Sequence, residues 1–241
     1  MNTSKDIDRT TLEVWLSPAR YARYLDAASN DDSIAFELYL WNEGLAQAVL
    51  RDVSFFEIAL RNAYAAQFDT FWNGDKHWLF DDESPIRRPI ERKNKRKQVT
   101  DANRINRNAI DRLVVGLGKR ATSDNVISNL TLGFWAHMTD RSHERNIWIP
   151  FLHNAWPAGT SRKELNGKIE SINEIRNRAA HHEHLFNIEN GTAQVKQACN
   201  NAVMLFSDLQ PDIVDLIYGE NKVSSVDQFL MKCKPPCEVK L

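Results

Sequence analysis

Residues 34–71, with the sequence IAFELYLWNEGLAQAVLRDVSFFEIALRNAYAAQFDTF, decide the fold class of this chain. Apolar residues return every three or four positions along the whole stretch, and this spacing predicts a long helix. They occupy more than one face, which is typical of a helix that is buried among others. The step Asp52-Val53-Ser54 could divide the stretch into two helices.

The composition indicates a soluble globular protein of 241 residues, with 42% hydrophobic and 26% charged residues and a net charge of −1. These values exclude wholesale disorder. With 9 glycines and 8 prolines, the chain has few residues that break helices. No apolar run approaches the roughly 20 residues that span a bilayer, and the start lacks the apolar segment of a secretory signal. We therefore expect a cytoplasmic protein without a membrane partner.

The same periodicity predicts an all-α helical bundle, with residues 1–221 forming a single domain and residues 222–241 a weakly ordered tail. Three cysteines do not form a disulfide framework, and we expect Cys233 and Cys237 to be reduced thiols in that tail. A helix begins near Ser161, which forms a capping box with Glu164. Its apolar stripe continues to Ala179 and, if the helix is extended, to His182 and Phe186.

The sharpest change in composition lies between residues 87 and 107, where nine basic residues stand against two acidic ones. Clustered cations of this kind bind polyanions, because binding releases condensed counterions. The stretch could equally be a solvated helix or loop. If it binds RNA, its contacts are Arg87, Arg88, Arg92, Lys93, Lys95, Arg96, Lys97, Arg104 and Arg107.

Residues 174–184, EIRNRAAHHEH, concentrate three histidines and two arginines. On a helical wheel, His182 follows the apolar stripe and is expected to be a core or interface residue. His181 instead shares a face with Asn177, whose amide could orient the imidazole. Arg176 lies about 140° around the helix from His181. A straight helix therefore cannot aim both side chains at one atom unless it breaks, the arginine curls round, or a second chain completes the site.

An arginine beside an imidazole suits the cleavage of RNA, in which the 2′-OH of the substrate is the nucleophile. Histidine can take up or deliver the proton, and arginine can stabilise the charge on the phosphate oxygens. No metal or cofactor is then needed. Two other interpretations stay open: both histidines could be structural, or His181 and His184 could contribute to a zinc site.

The segment Arg176 to His182, followed by Leu185-Phe186-Asn187, resembles the signature of the Abi-like (abortive infection) family, which is similar to the HEPN superfamily. Further family-like pieces are residues 38–42, 56–62 and 132–135. The resemblance implies an all-helical, metal-independent endoribonuclease with a site shared between two chains, and a role in phage defence or as a toxin. It also implies restraint by a protein antitoxin or an inhibitory RNA.

Carried over by position, the resemblance makes Arg176 and His181 the catalytic pair, with Asn177 as the orienting residue and His182 within the permitted window. Arg61-Asn62 echoes the same motif without a following histidine. We expect Arg61 to be structural or to contact RNA, with Glu57 as its partner. The alternative for the whole chain is a non-catalytic RNA-binding or sensing module whose histidines are structural.

Overall fold

The structure is a computed structural model that describes residues 8–93, 98–187 and 191–239. Ten α-helices dominate the described residues, and the only sheet among them is a two-stranded antiparallel hairpin. The helices are α1 (Arg9–Leu16), α2 (Pro18–Ala27), α3 (Asp32–Phe71), α4 (Arg104–Leu117), α5 (Ser123–Asn129), α6 (Leu132–His137), α7 (Arg162–Ala180), α8 (Ala193–Leu209), α9 (Pro211–Tyr218) and α10 (Ser225–Lys232). The hairpin pairs β1 (Glu91–Lys93) with β2 (Val99–Asp101).

The predicted all-α fold is confirmed. In the part of the chain that the structure describes, no helix combines the length and the apolar character needed to cross a bilayer. The stretch of residues 34–71 lies in the single helix α3, so the alternative of a division at Asp52-Val53-Ser54 is not realised. Asp52 is tolerated inside the helix because its carboxylate accepts hydrogen bonds from the amides of Ser225 (2.9 Å) and Val226 (3.2 Å).

Two compact units make up the described chain. The first unit comprises residues up to 54, residues 174–204 and residues from 212 onward. The second unit comprises residues 55–173 and 205–211. Neither unit is continuous in sequence, and the prediction of one domain over residues 1–221 stays a prediction.

The first unit has an apolar core in which aromatic rings meet edge to face. Tyr24 contacts Tyr39 with ring centroids 5.5 Å apart and Phe186 with centroids 5.6 Å apart. Such edge-to-face pairs add to the stabilisation that burial provides. The first part of α3, α2 and the segment after α7 are thereby packed together.

The second unit is built around aromatic residues from α3, from the loop that follows it and from the connector after α6. The Phe68 ring stacks on those of Trp78 (centroids 4.8 Å apart) and Phe151 (4.9 Å), and all three side chains are buried. The Trp156 indole donates to the Tyr64 hydroxyl (3.2 Å). Since buried polar groups are costly without partners, this bond satisfies both groups inside the core.

The predicted helix or loop at residues 87–107 is corrected by the structure. Its central part is the β1–β2 hairpin, and α4 begins only at Arg104. The charge pattern could not show this, because both short strands are largely exposed and lack the apolar alternation that identifies a half-buried strand. Lys95, Arg96 and Lys97 lie outside the described residues.

The weakly ordered tail expected after residue 221 is also corrected, since residues 225–232 form α10. Val226 and Leu230 are buried, and the Trp41 indole donates to the Cys233 carbonyl (3.0 Å). Ser224 caps the helix by accepting from the Asp227 amide (3.1 Å). Cys233 is exposed, and it and Cys237 are free thiols, as is the buried Cys199.

We expect Asp52→Ala to destabilise the protein by about 1–2 kcal/mol, because two amides at the start of α10 lose their acceptor. Urea denaturation followed by circular dichroism measures this loss. The matched control is Asp26→Ala, which removes an exposed carboxylate from α2. Equal midpoints for the two variants would contradict the docking of α10 on α3.

Candidate active site

Helix α7 carries the arginine and histidine motif at its C-terminal end. It begins where predicted, since the Ser161 hydroxyl accepts from the Glu164 amide (3.4 Å). The predicted apolar stripe is buried along its whole length and consists of Leu165, Ile169, Ile172, Ile175 and Ala179. This burial fixes the rotation of the helix, and therefore the directions in which the motif residues leave it.

The helix ends in a turn that the wheel does not anticipate. The His182 amide donates to the Ala179 carbonyl (3.1 Å), and the Glu183 amide donates to the Arg178 carbonyl (2.9 Å). This pair of bonds is a Schellman motif, in which the residue after the cap adopts a left-handed conformation. That residue is His182, with φ of 54°.

The turn shows that His182 is not a core residue, one of the two locations expected for it, and its place at an interface stays a prediction. Its side chain is 60% exposed, because the chain leaves the helix before the apolar stripe would reach it. The imidazole Nδ1 lies 3.3 Å from the Glu43 carboxylate. His182 is therefore a surface imidazole beside a carboxylate, whereas Phe186, the other residue on the extended stripe, is buried.

The family resemblance assigns three residues to the catalytic set, and they lie within about one and a half helical turns of one another: Arg176, Asn177 and His181. His181 is exposed, and Arg176 and Asn177 are half-buried. The Asn177 side chain accepts from Arg176 Nη1 (3.3 Å). Among the described residues, no hydrogen bond joins the Asn177 side chain to the His181 imidazole. The Asn177 side chain therefore contacts Arg176 and does not orient His181.

Asn42, which the sequence analysis did not single out as a functional residue, holds the turn after α7. Its buried side chain accepts from the Leu185 amide (2.7 Å) and donates to the Glu183 carbonyl (3.2 Å). One amide thereby satisfies a donor and an acceptor of the same loop. A further support comes from Arg20, whose guanidinium donates to the His181 carbonyl (3.4 Å).

Arg178 braces the same turn from the other side. It donates to the His184 carbonyl, and its Nε lies 3.8 Å from the Glu183 carboxylate. Burial, together with the guanidinium groups of Arg178 and Arg23, lowers the pKa of His184. His184 is consequently neutral at physiological pH and packs against Phe186, with ring centroids 5.6 Å apart.

Two of the basic residues predicted to bind RNA are engaged inside the second unit. Arg87 forms ion pairs with Asp82 (3.1 Å) and Asp111 (3.0 Å), and its side chain is only 12% exposed. Arg107 pairs with Asp101 and donates to the Arg87 carbonyl (2.6 Å). These guanidinium groups stabilise the base of the hairpin.

Four other basic residues of the stretch are exposed: Arg88, Arg92, Lys93 and Arg104. Arg92 also donates to the Ser142 carbonyl (2.5 Å). Arg88 also lines a cavity of about 410 Å³, together with Trp72 and Glu83. An aromatic ring next to exposed cations is a combination that binds single-stranded nucleic acid.

Arg61 lies on α3 in the second unit, and with Asn62 it repeats the Arg-Asn pair of the motif. Its guanidinium donates to the Ser128 carbonyl (3.1 Å) and to the side chain of Asn62 (3.4 Å). The expected pairing with Glu57 is not among the ion pairs of the described residues. The structure therefore connects α3 with α5 through Arg61.

A second group of residues, whose side chains could bind a metal ion, was not predicted from the sequence. His137, Asp140 and His143 present one ligand atom each, and these atoms lie within 4.8 Å of one another. The signal was present as a spacing of three between consecutive members of the group. Burial lowers the pKa of His137, and the neighbouring His143 lowers it further. Burial opposes the ionisation of Asp140, yet hydrogen bonding to His143 leaves its pKa below the usual value.

The fold and the first unit thus define an all-helical protein with an arginine, an asparagine and two histidines at the end of one helix. The chain belongs to the Abi-like protein family, which it matches over residues 17–187, more than two thirds of its length. Family membership connects it with abortive infection, which is phage defence in general. Neither the curated proteins nor the solved structures that were searched gave a match.

Proposed function

We propose that this Abi-like protein is a metal-independent endoribonuclease of the HEPN type that acts in phage defence or as a toxin. The observation that carries the proposal is the helix end itself, where the His181 imidazole is exposed and Arg176 is only half-buried. Both side chains lie at the C-terminal end of α7, and neither forms an ion pair among the described residues. A phosphodiester of RNA therefore has access to both groups.

The proposed reaction begins when an imidazole takes the proton of the ribose 2′-OH. The 2′ oxygen attacks phosphorus, the bond to the 5′ oxygen breaks, and a second acid protonates the leaving group. The products are a 2′,3′-cyclic phosphate and a 5′-hydroxyl. Arg176 stabilises the negative charge that builds on the phosphate oxygens.

A homodimer would supply both proton-transfer groups and resolve the geometry of α7. The His181 amide still makes the helical bond to the Asn177 carbonyl (2.9 Å), so Arg176 and His181 keep their separation of about 140° around the axis. Two copies meeting at this turn would place the arginine of one chain beside the imidazole of the other. Specific activity should then fall when the protein is diluted below the dimer dissociation constant.

The Glu43 carboxylate supports a role for His182 within the same site. A carboxylate at 3.3 Å can hold an imidazole in one orientation. His182 is therefore a second imidazole available for proton transfer beside His181. Restraint of such an activity requires a partner, and we propose a protein antitoxin or an inhibitory RNA in the cytoplasm.

Purified protein incubated with RNA in excess EDTA tests the proposal directly. Cleavage with cyclic-phosphate ends is expected, and a substrate with a single 2′-deoxyribose at the scissile position should resist. Ends that carry a 5′-phosphate, or activity that requires added metal, would contradict it.

Charge reversal of Arg88, Lys93 and Arg104 together should weaken RNA binding about 100-fold at physiological salt and reduce the salt slope by roughly 2. The physical reason is the loss of three exposed cations from the hairpin surface. Fluorescence anisotropy at several salt concentrations measures both quantities. Reversal of Lys119, Arg120 and Lys163, which are exposed outside the stretch, is the matched control, and an equal loss there would contradict a localised surface.

The exposed cations and the aromatic cavity also favour a second candidate, a non-catalytic RNA-binding module. Both candidates require RNA binding, but only the nuclease requires His181. RNA that stays intact at saturating protein concentration, with normal binding, would support the module.

A further inference from the structure

A cluster of hydrogen-bonded side chains in the second unit brings two imidazoles and a carboxylate close together. His143 is fully buried, and its Nδ1 lies 2.7 Å from Asp140 Oδ1. His137 Nε2 lies 3.4 Å from the other oxygen of the same carboxylate. Two imidazoles therefore converge on one carboxylate.

The outer nitrogen of each ring is fixed as a donor by an asparagine. Asn103 Nδ2 donates to the carbonyls of Pro85 (2.7 Å) and Arg88 (2.6 Å), so its Oδ1 faces His143 Nε2 at 2.9 Å. Asn106 Nδ2 donates to that same oxygen (3.2 Å), which leaves Asn106 Oδ1 to accept from His137 Nδ1 at 2.9 Å. Both outer nitrogens must therefore carry hydrogen.

The inner nitrogens, His143 Nδ1 and His137 Nε2, therefore face the two oxygens of the Asp140 carboxylate. One ligand atom from each of the three side chains lies within 4.8 Å of the other two. At this spacing a single metal ion can contact all three groups.

We propose that His137, Asp140 and His143 bind one divalent transition-metal ion of the zinc class. Two imidazoles and a carboxylate are ligands that zinc accepts. The asparagines provide the outer hydrogen bonds that fix the tautomer of metal-binding histidines. Because the side chains of His137 and Asp140 are 24% and 25% exposed, the fourth position is left to water.

The ion would stabilise the segment that leads into the hairpin of β1 and β2. Asn103 holds the carbonyls of Pro85 and Arg88 before β1, and Arg92 within β1 holds the Ser142 carbonyl between the ligands. Metal binding therefore stabilises the surface that carries the exposed cations. This inference is independent of the proposed nuclease, which needs no metal.

The test uses the full chain, stripped with EDTA and titrated with Zn²⁺ or Co²⁺. We expect one ion per chain and a rise in the melting temperature of about 5–10 °C at a hundredfold excess over Kd, reversed by EDTA. His137→Gln and Asp140→Asn should each weaken binding at least tenfold. His153→Gln, which replaces an exposed histidine of the same unit, should bind like the wild type.

No binding, or unchanged affinity in both ligand variants, overturns the proposal. If a variant fails to fold, X-ray absorption of the wild-type zinc complex decides the question. Nitrogen and oxygen neighbours near 2.0–2.1 Å support the site, whereas sulfur near 2.3 Å would assign the ion to cysteines and overturn it.

Discussion

Replacing Arg176 or His181 with alanine should reduce RNA cleavage by about 100-fold or more while RNA binding changes little. The imidazole moves a proton and the guanidinium stabilises developing charge, and each contribution is typically worth about 100-fold or more. Single-turnover cleavage of a fluorescent RNA, with binding measured separately, provides both numbers. Neither change should cost more than about 1 kcal/mol of folding free energy, since His181 is exposed and Arg176 only half-buried.

The controls for this experiment are Arg145→Ala and His153→Ala, which remove exposed residues of the same types elsewhere in the chain. They should retain full activity. Wild-type cleavage by the Arg176 and His181 variants would end the nuclease proposal. Loss in the arginine variant alone would instead move the proton transfer to His182.

Asn42→Ala should lower the free energy of unfolding by about 3 kcal/mol and also reduce cleavage. The substitution leaves the buried Leu185 amide without an acceptor and the Glu183 carbonyl without a donor, and unsatisfied buried groups are costly. The turn that presents His181 and His182 then loses its brace. Urea denaturation gives the stability, and activity well below the denaturation midpoint gives the functional effect.

Asn200→Ala is the matched control, because Asn200 is an exposed residue of α8 in the same unit. Its effect on stability should stay within about 0.5 kcal/mol. If Asn42→Ala behaves in the same way, the turn is held by other contacts and Asn42 is not a positioning residue.

The sequence predicts the helices well wherever a periodic stripe and a cap coincide. Ser161 and the apolar stripe locate α7, and the stripe is buried as expected. Extension of that stripe to His182 fails because no glycine marks the left-handed turn. The tail is missed although Ser224 and Asp227 form an N-terminal cap, since α10 is short and depends on docking against α3.

The candidate site is less predictable, because its bracing depends on contacts between distant parts of the chain. Asn42 reaches Leu185 across 143 residues, and no local pattern can show such a pair. The cluster of His137, Asp140 and His143 is close in sequence, but α6 ends at His137. Helical-wheel reasoning therefore has no helix on which to place the other two residues.

The left-handed backbone at His182 has a consequence for how this chain distributes its energy. A side chain in that conformation costs roughly 1 kcal/mol that glycine would avoid. A histidine at this helix terminus therefore lowers the folding free energy available to the protein, compared with a glycine. A glycine at this position would remove that cost, but it would also remove the imidazole that the proposed nuclease places beside its substrate.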